Sequence, residues 1–182
     1  FSGEILHRDS LGSEQIIRPG EINWMHAGSG IVHSERSPSS ARAAGAQMHG
    51  MQLWVALPTA HEETPPVFYH HAANSLPEVD QKGVRFRVLV GDAYGAKSPV
   101  KTLSQTLYVD AQLDQGATLQ LPQGYEERCV YIAQGRVGCD GVEYAEGMML
   151  VVGANREPPI HALSQSRLMV MGGEPLGERH IF

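Results

Sequence analysis

Apolar residues along this chain come in short runs rich in Val, Ile, Leu and Tyr, broken at close intervals by glycine and proline. Runs of that length, bounded by turn formers, predict strands, and sustained helical periodicity is absent, so the fold class is all-β. In the first half, strands are expected at residues 3–9, 15–17, 22–25 and 31–35. Turns fall at 9–12, 18–21 and 27–30. Residues 51–57 are apolar on both faces, which predicts a central strand. The proline-rich stretch 58–80 reads as a long crossover, residues 36–46 read as a surface loop, and 84–90 alternates as a strand. Later strands are expected at 107–113, 116–122, 129–133, 136–138, 143–144 and 148–152. Short helices are expected at 41–47 and 76–81.

The pattern recurs. Ser2-Gly3-Glu4-Ile5 followed by Pro19-Gly20-Glu21-Ile22 is matched by Gln134-Gly135-Arg136-Val137 followed by Glu146-Gly147-Met148-Met149. A glycine–strand–turn–strand–glycine unit used twice implies two similar β-barrels. Residues 91–99 are the best boundary, giving an N-terminal barrel at 1–98 and a C-terminal barrel at 99–182.

Composition narrows the chemistry. With 182 residues, 42% hydrophobic and 19% charged, the chain can bury a sizeable core. A net charge of -6 and the absence of basic runs argue against direct nucleic-acid or anionic-membrane binding. No apolar stretch reaches membrane-spanning length. Cys129 and Cys139 are too few for a disulfide framework and read as reduced core thiols of a cytoplasmic protein. The abrupt start at Phe1 and the abrupt end at His180-Ile181-Phe182 read as an internal piece of a longer protein.

The chemistry concentrates in the strand that carries His33 and Glu35. Strand positions i and i+2 share a face, so an imidazole nitrogen and a carboxylate oxygen can aim at one point. A divalent transition metal suits that donor pair; a hydrogen-bonded strand pair is the plainer reading. Ser34 alternates to the opposite face, which excludes a Ser–His pair. His7 and Asp9 also share a face and read as structural. Gly28-Ser29-Gly30 lacks the third glycine and the following helix of a dinucleotide fingerprint and reads as a tight turn. His70 and His71 read as solvated, and Trp24 and Trp54 as core.

His7-Arg8-Asp9-Ser10-Leu11-Gly12, Arg18-Pro19-Gly20-Glu21, the segment from Trp24 to Glu35, and Met51-Gln52-Leu53-Trp54 together resemble the pirin family of the cupin superfamily. Gly91-Asp92-Ala93-Tyr94-Gly95 and Gly172-Gly173-Glu174-Pro175-Leu176 resemble later landmarks of that family. The resemblance implies two tandem cupin jelly-roll barrels, with one metal, most often iron as Fe(II), in the first. Its ligands would be His33 and Glu35 together with two histidines of a His-Pro-His segment that belongs just before Phe1. The N-terminal barrel and its metal site are therefore expected to be incomplete here. A C-terminal helix of the family is also expected to be missing.

In the second barrel, counting back from Gly135 puts Glu127 at the glutamate position and Leu121 and Gln123 at the histidine positions. Leucine cannot ligate, so that barrel is expected to be metal-free, with His161 a lone histidine. By resemblance the activity is a metal-dependent dioxygenation of a flavonol such as quercetin, with Glu35 both ligand and general base. The alternatives are a non-enzymatic regulator that binds a protein partner and a metal-free scaffold.

Overall fold

Backbone pairing gathers the apolar runs into two units, Phe1–Ser75 and Leu76–Gly177, in a computed structural model that describes residues 1–177. His180, Ile181 and Phe182 lie outside the described residues. The first unit contains β1 (Ile5–Asp9), β2 (Glu14–Ile17), β3 (Ile22–His26), β4 (His33–Arg36), a one-turn helix α1 (Ser39–Ala43) and β5 (Val67–His71). β1 lies between β2 and β4 in a three-stranded antiparallel sheet, and β3 pairs with β5.

The second unit continues with β6 (Glu78–Gln81), β7 (Val84–Val90), β8 (Asp92–Ala93), β9 (Ala96–Lys97), β10 (Thr106–Leu113), β11 (Thr118–Leu119) and β12 (Glu127–Gln134). It ends with β13 (Arg136–Cys139), β14 (Val142–Ala145), β15 (Met149–Val152), β16 (Ile160–Ala162) and β17 (Ser166–Gly173). A six-stranded sheet in the order β15-β12-β17-β10-β7-β6 stands with a four-stranded sheet in the order β11-β16-β13-β14. Alternation supplies the core: Val88, Val109, Val130, Ile132, Val137, Ile160, Leu168 and Val170 are all fully buried in one apolar cluster. On the six-stranded sheet, Asp110 and Arg167 pair through their side chains.

The all-β reading holds, with local corrections. Residues 51–57 belong to no strand among the described residues and are largely exposed; Trp54, expected in the core, is 92% exposed. An apolar run becomes a strand only where neighbours accept its backbone hydrogen bonds, and hydrophobicity does not supply them. Residues 76–81, expected to be helical, contain strand β6, whose ladder with β7 overrides local propensity. The 41–47 helix shrinks to α1, which lacks a side-chain N-cap bond and buries no residue. The 58–80 crossover contains β5 and β6, so His70 and His71 sit in a ladder rather than in solvent. Strand β7 pairs with β10, and residues 91–99 form the β8–β9 hairpin and its exit, with Ser98 buried and bonded to the Leu89 carbonyl. Both belong to the second unit.

The repeated glycines mark real turns. Gly135, between β12 and β13, has φ +86°, and a Cβ there would come within 2.4 Å of the Gln165 carbonyl oxygen. Cys139 is buried and Cys129 half-buried, both as free thiols, and burial raises the pKa of each.

Candidate metal centre

The sequence of β1, Ile-Leu-His-Arg-Asp, alternates so that His7 and Asp9 share one face while Arg8 takes the other. In the antiparallel pairing with β4, His7 lies opposite Glu35 and Asp9 opposite His33. Directly opposed residues share a face. His7, Asp9, His33 and Glu35 are thereby gathered on one side of the β1–β4 ribbon, and Arg8 and Ser34 on the other.

His7 and Asp9 are the enclosed pair, their side chains 2% and 0% exposed. His7 Nε2 is 2.9 Å from Asp9 Oδ2, and its Nδ1 is 3.9 Å from Glu35 Oε1. The ring stacks on Phe68 of β5 with centroids 4.2 Å apart, and on His33 at 5.6 Å. Asp9 also accepts hydrogen bonds from the backbone N–H groups of Leu11 and Ser13. Burial on its own would raise the Asp9 pKa. The bonds from His7, Ser13 and Leu11 outweigh it and hold the carboxyl at about 2. Asp9 is thus a fixed anion that orients His7 beneath Glu35.

His33 and Glu35 point the same way and make no side-chain hydrogen bond among the described residues, so their lone pairs are uncommitted. An imidazole nitrogen and a carboxylate oxygen suit a borderline divalent transition metal. Among the described residues, no group of three or more His, Cys, Asp or Glu side chains is arranged to hold a metal ion.

The expected structural pair of His7 and Asp9 on one face of β1 is present, bonded at 2.9 Å. What the spacing alone does not show is the β1–β4 register, which sets His7 opposite Glu35 and Asp9 opposite His33. Other described histidines go elsewhere. His26 is buried and accepts a hydrogen bond from Trp24 Nε1 at 2.8 Å; burial, and then His61, lower its pKa. His70 bonds to Asn23 and lies 3.7 Å from Glu21. In the second unit, Leu121 is buried, Gln123 reaches Glu157, Glu127 is exposed, and His161 bonds to Thr118 Oγ1 at 3.0 Å.

The turn that joins β3 to β4 sets the approach to His33. Ser29 N–H donates to the Thr64 carbonyl at 2.9 Å. Gly28 has φ +53°, and a Cβ there would come within 1.9 Å of the same oxygen. Gly28→Ala therefore meets both a backbone clash and a disfavoured dihedral. It is expected to cost about 1–3 kcal/mol, read as a fall in denaturation midpoint with unchanged m-value. An unchanged midpoint would show that this turn is not held against Thr64.

Comparison with known proteins agrees with this architecture. The family described as Pirin matches residues 1–55, and the Pirin C-terminal cupin domain matches residues 108–182. A pirin-like protein of Caulobacter vibrioides is 48% identical over the whole chain, which spans 63% of that protein. The crystal structure of a quercetin 2,3-dioxygenase from Acinetobacter baumannii superposes with a TM-score of 0.84 at 34% identity, over 97% of this chain and 58% of that one. The crystal structure of GK1651 from Geobacillus kaustophilus gives a TM-score of 0.85 at 33% identity, over 98% of this chain and 73% of that one. Two matched family regions in chain order, relatives aligned over nearly the whole chain and a β-rich fold of the cupin type make this chain a member of the pirin family.

Proposed function

We propose that the protein is a metal-dependent dioxygenase acting on a flavonol such as quercetin, with the metal held in its N-terminal barrel. The observation that carries this reading is the pair of uncommitted donors, His33 and Glu35, on one face of β4, backed by the ordered His7–Asp9 couple. The similarity to a quercetin 2,3-dioxygenase supports the substrate class. His33 and Glu35 would supply two of the ligands. Iron(II), when bound, supplies Lewis acidity toward substrate oxygen and the electrons that dioxygen chemistry needs.

The chain's own residues do the rest. Glu35 Oε is placed to accept the proton of a substrate hydroxyl. His7, held by Asp9 and stacked on Phe68, keeps an imidazole nitrogen 3.9 Å from the Glu35 carboxylate on the inner side of the pair. The free thiols at Cys129 and Cys139 suit a cytoplasmic protein, and no helix among the described residues is long and apolar enough to cross a membrane.

The test is oxygen uptake by the iron-loaded full-length protein. Quercetin is expected to stimulate uptake, and removal of iron by a chelator to abolish the stimulation. Iron-loaded protein that consumes no oxygen with quercetin would overturn the reading in favour of a non-enzymatic one.

A further inference from the structure

The second unit carries a buried charge that the proposed chemistry does not use. Arg128 lies on β12 and alternates with Val130 and Ile132, so its side chain shares their buried face of the six-stranded sheet. It is 6% exposed. Its stem passes over Gly172 of β17, where a Cβ would come within 3.4 Å of Arg128 Cγ. One Nη donates to the Arg156 carbonyl at 2.6 Å, and Nε is buried without a hydrogen-bond partner.

Other arginines of the same unit are treated differently. Arg85, Arg87, Arg136, Arg156 and Arg167 each pair with a carboxylate. Arg128, the one enclosed among apolar side chains, has none among the described residues. A guanidinium taken out of water without a counter-ion is strongly unfavourable, and a single carbonyl bond does not offset that. Room lies alongside. Val152, the register partner of Arg128, and Arg156, whose carbonyl takes the Nη bond, line a cavity of about 250 Å³ together with Tyr144, Leu150 and the Asp140 carboxylate, which Arg156 pairs; Arg128 itself stands behind that lining.

We propose that the second barrel holds a small anion, a carboxylate or a phosphate, on the Arg128 guanidinium. The planar fork presents two parallel N–H donors, which matches both anions. The proposal is independent of His33, Glu35 and any metal. It assigns the second barrel a binding role of its own.

The test uses the full chain with acetate and inorganic phosphate as separate probes, titrated by calorimetry and by thermal melting against sodium chloride of equal ionic strength. At least one probe is expected to bind wild type saturably and raise its melting temperature. Arg128→Met is expected to lose that binding while melting no lower than wild type without anion, because it removes an unpaired buried charge. Which probe binds separates a carboxylate site from a phosphate site. Arg128→Lys keeps the charge but not the fork, and is expected to bind about tenfold more weakly. The proposal is overturned if neither probe outperforms chloride, if Arg128→Met responds as wild type does, or if Arg128→Lys binds with wild-type affinity.

Discussion

Replacing Glu35 by glutamine is expected to lower metal affinity of the full-length protein at least ~100-fold, since loss of a hydrogen-bonding partner behind a ligand alone costs up to about that much. Glutamine keeps the shape and removes the anionic donor. Its carbonyl oxygen is a poor ligand for a transition metal. The substitution is expected to leave folding nearly untouched, within about 0.5 kcal/mol, because Glu35 is exposed on the β1–β4 ribbon and makes only a 3.9 Å contact with His7. Metal content per chain after dialysis, measured beside a denaturation curve, separates the two effects. Stoichiometric metal in the Glu35→Gln protein would remove Glu35 from the ligand set. Metal loss with an unchanged midpoint would leave a ligand role as the remaining account.

What the sequence could reveal about this site depends on the range of the interaction. The His33–Glu35 pair is local: strand periodicity alone puts both side chains on one face. The role of His7 is not local. It arises because β1 and β4 pair in a register that sets His7 opposite Glu35 across a loop containing another two strands, and the alternation within one strand does not say which distant strand will pair with it. The same division runs through the fold. Residues 84–90 were legible because their alternation coincides with burial on one face and partners on both edges. Residues 51–57 misled because their apolarity is as strong, yet no ladder takes them up among the described residues. Arg128 is an intermediate case. Its charge suggests a solvated position, whereas its i, i+2, i+4 relation to Val130 and Ile132 points inward, and the second signal is the one the structure follows.

Leu168→Ala is expected to be the most destabilising single core change, at about 2–5 kcal/mol. Leu168 is fully buried in β17, which lies between β12 and β10, and its register partners are Ile132 on one side and Ala111 on the other. Ala111 is too small to move into the vacated space, and central strands paired on both edges cannot collapse toward each other without breaking ladder hydrogen bonds. The cost therefore falls toward the upper part of that range, because the cavity stays open. For a chain of this size each kcal/mol lowers the melting temperature by roughly 2–4 °C, so a fall of about 10 °C is expected. The control is Met149→Ala on the edge strand β15, where the side chain is half exposed and the loss should stay within about 0.5 kcal/mol. A Leu168→Ala loss no larger than that of the control would show that the inner face of the six-stranded sheet is loosely packed, and would remove the rigid wall on which the enclosure of Arg128 depends.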